Sequence, residues 1–500
     1  MKPDGGWAMQ VEGEAILVID AGTTSNRAMV FAPDGTVRAM AQRALTQHYP
    51  RAGWVEHDAE EIWQGVLACA RQAVTQAGGV DRIAAIGIAN QRETVVAWDK
   101  ASGAPLTRAI VWQDRRTASV CEALREAGHE AGVQAATGLI LDPYFSATKM
   151  GWMHDAVPEV RAASESGRLA LGTVESWLLY RLTGGAHMTD ASNASRTSLL
   201  GLAGRGWDEG LCDLFGVPRA ALPEICDCAG AIGTALPEWL GASVAVAGMA
   251  GDQQAATIGQ GCLAVGETKA TYGTGAFVLA NMGAQVPSSA HRLLATVLCQ
   301  TGGERTYALE GSVFVAGSLV QWLRDSLGLI DAASETEALA RSVQDSGGVV
   351  IVPALAGLGA PHWRADARAS ISGLTFASTR AHLVRAALEA MAMQTRDLAE
   401  AFAADGATWT TLRIDGGMSA NDWIAQDLAD VLALPVERPA SVETTALGAA
   451  MLAGLGAGLF ASLEAAAAAM GGTRRTFTPS MSEAVRGERI ENWARALAAV

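Results

Sequence analysis

A chain of 500 residues exceeds what one ordinary core holds, so two domains of roughly 200–250 residues are expected. Half the residues are hydrophobic and 18% are charged, which excludes a disordered chain. With 37 Lys+Arg against 52 Asp+Glu, a formal charge of −15 and no basic run, binding of nucleic acid through its phosphates is excluded. A single small polyanion, held by a local nest of N–H groups, stays open.

Met1–Glu14 carries Asp4, Glu12 and Glu14 and no apolar run, so no signal peptide is expected. The seven cysteines form no C-x-x-C pair and read as scattered buried thiols of a reducing, cytoplasmic compartment. Ala15–Asp20 is an apolar strand, and Arg27–Phe31 with Val37–Ala44 form a hairpin about Pro33-Asp34-Gly35. Ala59–Ala77 has helical period, with Ile62, Val66, Cys69 and Ala70 on one side. Ile83–Ala89 and Thr94–Trp98 read as a second hairpin about Asn90–Glu93. Val244–Gly251 is an apolar run followed by a helix, Gln253–Gln260. Glu267–Leu279 reads strand, Tyr-Gly-Thr-Gly, strand, like Leu17–Val30 before it; the pair suggests duplicated α/β units with a boundary near Gly248–Gly261, although Gly-Thr turns also recur by chance. Thr379 caps a helix reaching Phe402, Ile414 leads from a strand into a helix near Asn421, and Glu483–Val500 is helical. Thr444–Leu463 lacks charge over a span long enough for a bilayer. Its Ala, Gly and Thr content, and the absence of an aromatic belt or flanking Lys/Arg, favour a buried helix with a small-residue face over membrane insertion.

Several chemistries are missing. No G-x-x-x-x-G-K-[ST] occurs, and lysine stands only at Lys2, Lys100, Lys149 and Lys269; H-E-x-x-H and G-x-S-x-G are absent too. What remains is a set of loops at strand ends. Asp20-Ala-Gly-Thr-Thr-Ser-Asn-Arg27 and Tyr272-Gly-Thr-Gly275 can offer N–H and O–H donors to phosphate oxygens, with Asp20 near Mg²⁺, or can be ordinary turns. Asp415-Gly-Gly-Met-Ser-Ala-Asn421 allows a flat base or ribose to lie on its backbone, or is a tight strand-to-helix turn. Asp252 suits a general base taking a hydroxyl proton, and equally a helix N-cap. Arg92-Glu93 is either a solvated turn or a donor–acceptor pair for adjacent hydroxyls, for which Trp112, Tyr144 and Phe277 could supply an apolar wall.

In this order the motifs resemble the FGGY carbohydrate kinases from about Ile16 to Arg438, and more weakly through Leu463. The matches are GWVEHDAEEIW (Gly53–Trp63), AAIGIANQRET (Ala84–Thr94), AIVWQDRRT (Ala109–Thr117), TGLILDPYFSATKMGW (Thr137–Trp152), NASRTSL (Asn193–Leu199), AGDQQAA (Ala250–Ala256), TYGTGAF (Thr271–Phe277), YALEGSVFVAG (Tyr307–Gly317) and DGGMSAN (Asp415–Asn421). The resemblance implies two duplicated actin-like, ribonuclease-H-like ATPase lobes around a central cleft, 14–253 on the polyol and phosphate side and 254–500 on the nucleotide side. It implies phosphorylation of glycerol by ATP to sn-glycerol 3-phosphate, in a cytoplasmic homodimer or homotetramer. Arg92, Glu93, Trp112, Tyr144, Asp252, Gln253 and Phe277 would form the polyol pocket, with Asp252 the base. Thr23, Thr24, Ser25, Arg27 and Thr274 would meet phosphates; Gly317, Gln321, Gly417 and Asn421 would line the nucleotide; and Asp20 would orient Mg²⁺. Ala21 and Asn26 stand where the family pattern has Gln and Ser, with some effect on phosphate affinity expected. The alternatives are a sibling kinase for another polyol or ketose, and a non-catalytic actin- or Hsp70-like nucleotide switch, which has no use for Arg92, Glu93 and Asp252 together.

Overall fold

The computed structural model describes residues 13–364 and 366–500, so the reading of Met1–Glu14 as leader-free falls almost wholly outside the described residues. Thirteen strands join in one sheet. In chain order they are β1 (Ala15–Ala21), β2 (Ser25–Phe31), β3 (Val37–Ala44), β4 (Ile83–Asn90), β5 (Ala229–Ala235), β6 (Val244–Gly251), β7 (Glu267–Tyr272), β8 (Ala276–Gly283), β9 (Leu294–Thr301), β10 (Glu304–Val313), β11 (Thr411–Asp415), β12 (Val436–Pro439) and β13 (Arg474–Phe477). Four helices matter below: α1 (Ala59–Gln76), α2 (Asp252–Gly259), α3 (Asp422–Leu432) and α4 (Thr444–Gly456).

The sheet contains the same pattern twice. β3-β2-β1 is an antiparallel meander continued by parallel β4 and β6. β10-β8-β7 is likewise an antiparallel meander, continued by parallel β11 and β12. The halves meet where β5 touches β9, through the single register pair Ala229↔Thr301. Two duplicated α/β halves, as the paired Gly-Thr turns suggested, are therefore the architecture.

β1 and β4 are buried along their whole length, as expected of central parallel strands covered on both faces. The two-residue period of β1 sends Leu17 and Ile19 toward α1, while Ile16 and Val18 face α4. Helix α4 lies against the backbone of the first half: a Cβ at Gly87 would come 2.5 Å from Ala449 O, and one at Gly248 would come 2.4 Å from Ala453 N. That contact accounts for the uncharged stretch. The continuous helix expected over Thr444–Leu463 ends instead at Gly456, turns through Gly458 at φ +76°, and resumes at Leu463–Met470. Among the described residues no helix is long and apolar enough to cross a membrane.

The expected second hairpin does not form. β4 is already paired on both edges, by β1 and β6, so no edge is left for the next strand. Val95–Asp99 instead pairs with Leu169–Thr173 in a separate four-stranded sheet. The link between the two sheets is buried rather than solvated: Arg92 is 3% exposed and Glu93 1%, with Glu93 at φ 60°. The helix capped by Thr379 runs Arg380–Ala404, and the C-terminal one Glu483–Ala498.

Candidate active site

The ends of β1, β4 and β6 converge because these strands are parallel and in register, Asp20↔Ala89 and Gly251↔Asn90. Open α/β sheets present ligand-binding loops at such carboxyl ends. Asp252 follows β6 directly. It is the first residue of α2 rather than its cap, since Gly251 holds the N-cap position. Its Oδ1 accepts from Gln253 N at 2.7 Å and lies 3.4 Å from Arg92 Nε; Oδ2 makes no hydrogen bond, and 33% of the side chain is open. Its depth in the protein pushes the carboxyl above the ordinary aspartate value, opposed by Arg92 and Lys269.

Around Asp252 lies a ring of buried charges. Arg92 donates to Glu310 at 2.6 and 3.1 Å, and its Nη2 lies 3.4 Å from the Tyr144 hydroxyl. Arg196 donates to Glu93 at 2.6 Å and to Glu310 at 3.2 Å. Arg196 also lies 5.6 Å from the Tyr144 ring centroid and 5.3 Å from that of Phe145. Burial raises the Glu93 carboxyl, against the pull of Arg196 and Arg92. Burial acts on Glu310 the same way, yet Arg196 and Arg92 together bring it down to about 2. Glu93 Oε2 has no hydrogen bond and stays available as an acceptor. Trp112 packs edge-on against Tyr144 at 5.6 Å between centroids and donates from Nε1 to Thr23 Oγ1 at 3.0 Å, tying the aromatic wall to the first phosphate-type turn.

That turn is braced from behind. Gln91 donates to Gly22 O at 3.0 Å and Gln47 to Thr23 O at 2.5 Å, with His57 between the two amides and burial holding its imidazole near pKa 4, hence neutral. Arg27 is engaged on two sides: it donates to Asp20 at 2.5 and 3.1 Å and to Glu443 of the second half at 2.7 Å. Asp20 Oδ1 is left without a hydrogen bond. Ala21 and Asn26 are both buried and do not line the turn. Asn26 lies against α1, where a Cβ at Gly65 would come 2.5 Å from its Nδ2, and neither polar end has a partner. An orphaned buried amide costs about 1–3 kcal/mol and the lost volume of a smaller residue about 1 kcal/mol. Asn26→Ser is therefore expected to raise the unfolding midpoint by up to about 2 °C in scanning calorimetry. A lowered midpoint would contradict this.

On the second half, Thr274 is exposed at the β7–β8 turn, and Ala316 N and Ser318 N both donate to its carbonyl at 2.9 and 3.1 Å. Gly317 lies against the turn so closely that a Cβ would come 2.5 Å from Gly273 O and 3.2 Å from Met418 Cγ. Gly417 is exposed, with nothing within 4 Å of a Cβ position, which leaves room for a flat ring. Asn421 caps α3, accepting from Trp423 N at 2.9 Å and Ile424 N at 3.2 Å, and its amide donates to Thr336, so its side chain is committed. Gln321 is exposed on helix Gly317–Asp325 without a partner, and Phe277 makes no ring contact with Trp112 or Tyr144.

The structure thus gathers Arg92, Glu93, Trp112, Tyr144, Asp252 and Gln253, joins them to Thr23, and sets Gly317 beside the Tyr272–Gly275 turn. Phe277, Gln321 and Asn421 are not tied in by side-chain contacts. Sequence reasoning assigned no role to Arg196, Glu310, Lys269 or Glu443. Arg196 and Glu310 lie within motifs already singled out, and Lys269 is one of four lysines. A 540 Å³ cavity lined by Ala229, Leu298, Cys299 and Leu463 shares no residue with this site.

Residues 15–259 match the FGGY family of carbohydrate kinases, N-terminal domain, and residues 268–457 match its C-terminal domain. The chain belongs to the FGGY family of carbohydrate kinases. It is similar to the glycerol kinase of Gluconobacter oxydans, 53% identical over 482 residues that cover 96% of this chain and 94% of that one. It is similar also to the glycerol kinase of Alcanivorax borkumensis, 55% identical over 488 residues covering 97% and 98%. Among solved structures, Plasmodium falciparum glycerol kinase with ADP superposes with a TM-score of 0.93 at 35% identity, over 97% of this chain and 98% of that one.

Proposed function

We propose that this chain transfers the terminal phosphoryl group of ATP to a terminal hydroxyl of glycerol, giving sn-glycerol 3-phosphate. The observation that carries the reading is that Glu93 and Asp252 both flank Arg92 Nε, at 3.8 and 3.4 Å, each with an oxygen free of hydrogen bonds. Relatives at 53% and 55% identity over nearly the whole chain bear the name of this activity.

Glu93 Oε2 accepts from one hydroxyl, and the Arg92 guanidinium, fixed by Glu310, lies along the same wall. Trp112 and Tyr144 cover the carbon backbone, and Phe277 closes the pocket on the other side. Asp252 Oδ2 takes the proton of the terminal hydroxyl as its oxygen attacks phosphorus in line. Thr23, Thr24, Ser25 and Thr274 donate to phosphate oxygens, and Arg27 joins them by exchanging Glu443 for phosphate. Gly417 supplies a flat backbone for the nucleoside, with Gly317, Gln321 and the Asn421 backbone around it. Mg²⁺ carried on the phosphates would neutralise their charge, and the hard carboxylate oxygen of Asp20 suits it. In this reading the polyol and phosphate lobe is 14–253 and the nucleotide lobe 254–500, divided within α2. Seven unpaired thiols, six of them buried, suit a cytoplasmic enzyme.

A coupled ADP-release assay over three- to six-carbon polyols and ketoses tests the reading, with glycerol expected to give the highest kcat/KM. A five-carbon preference would overturn the choice of substrate, and ADP release indifferent to any polyol would overturn the kinase reading. Because a protonated base cannot accept a proton, the rate should fall as pH drops through the Asp252 pKa. Burial places that pKa above the ordinary value of 3.8, so the acid limb of kcat/KM for glycerol is expected above pH 3.8. A limb that lies lower would separate Asp252 from the titration.

A further inference from the structure

Lys269 on β7 is completely buried. A buried ammonium is unfavourable unless neighbouring groups compensate it. Its Nζ makes one hydrogen bond, 2.6 Å to Gln253 Oε1 on α2. A neutral acceptor does not balance the charge. Burial outweighs the attraction of Asp415 at the end of β11, Asp252 at the head of α2 and Glu310 on β10, which Arg92 opposes, and holds the ammonium below the ordinary lysine value. Lys269 thus lies on the strand that pairs with β11, where Thr271 stands opposite Asp415, and reaches across to α2 one residue from the proposed base.

The bond also fixes the polarity of the Gln253 amide. An ammonium only donates, so the atom it holds is the amide oxygen, and the NH₂ end is left without a protein partner. A hydroxyl oxygen of the substrate can accept from that end. We propose that Lys269 is a positioning residue of the polyol pocket, holding Gln253 by its oxygen so that the NH₂ group faces a substrate hydroxyl. This rests on the glycerol reading above and deepens it.

The test measures KM for glycerol and for ATP in the full chain, its variants K269M, K269R and Q253L, and the double variant K269M/Q253L. K269M should raise the glycerol KM about ten- to a hundredfold, the range of one well-placed hydrogen bond, and leave the ATP KM within about threefold. K269R, which keeps a cationic donor, should recover most of the loss. K269M added to Q253L should change the glycerol KM less than about twofold, because the two residues act as one unit. A glycerol KM within twofold of wild type in K269M or Q253L overturns the inference, as does a double variant in which the two losses multiply. Should K269M fail to fold, Q253L and K269R decide by the same criteria. A wild-type chain inactive on glycerol overturns the functional reading and this inference with it, whereas an active wild type with an indifferent K269M overturns the inference alone.

Discussion

Asp252→Asn should lower kcat by at least about 10²–10⁴-fold while ATP binding, followed by calorimetry, stays near that of the parent chain. The amide has the shape of the carboxylate and can keep the 2.7 Å bond from Gln253 N through its oxygen. What it lacks is the ability to take a proton from an attacking hydroxyl, so the loss falls on turnover. The 3.4 Å approach to Arg92 Nε is retained in geometry but not in charge, and the glycerol KM should move by less than kcat does. Near-normal turnover in this variant would remove Asp252 from the chemistry and leave it as a residue that heads α2.

Glu310→Gln should cost stability and glycerol affinity together. Glu310 comes from the second half, and the two guanidiniums it receives come from the first; side-chain exposure is 1%, 2% and 0% for Glu310, Arg92 and Arg196. Removing one member of a buried ion-pair network typically costs about 3–5 kcal/mol, because the partners keep their charge without compensation. The amide would also turn an NH₂ group toward one of the arginines. The pKa gives the same scale: held near 2 in the folded chain against an ordinary 4.5, the carboxylate contributes about 3 kcal/mol. Since the folded value is the lower one, that stability is present above pH 4.5 and is lost as pH falls toward 2. Thermal unfolding at neutral pH should show a lowered midpoint for Glu310→Gln. Arg92 and Arg196, released from their anchor, should also raise the glycerol KM at least about tenfold. A variant with the parent's midpoint and KM would show that the ring does not support the pocket.

The elements that were legible in the sequence are those whose pattern is local. β1 and β4 are uninterrupted apolar runs, α1 has a clean helical period, and both Gly-Thr turns are recognisable by residue type. The missing hairpin after β4 depended on something non-local, namely that β1 and β6 already occupy both edges of that strand. The break after Gly456 was hidden because small residues fit a helix and the turn following it alike. In the site, loop residues at strand ends were readable as types that meet anions and hydroxyls. Arg196, Glu310 and Lys269 were not, because each gains its meaning from partners brought near by folding. Glu310 is 218 positions from Arg92, and nothing in its own strand indicates which cation will face it.

Helix α4 closes one face of β1, β4 and β6, although its residues lie roughly two hundred positions after the last of those strands. At typical elongation speeds the ribosome adds that length in roughly 10–40 s. Throughout the interval, Ile16, Val18, Ala85, Ala89 and Ala247 of the nascent chain lack their cover. The first half therefore cannot mature as an independent unit during translation. Chaperone occupancy on ribosome-bound chains should persist until residue 456 has cleared the exit tunnel.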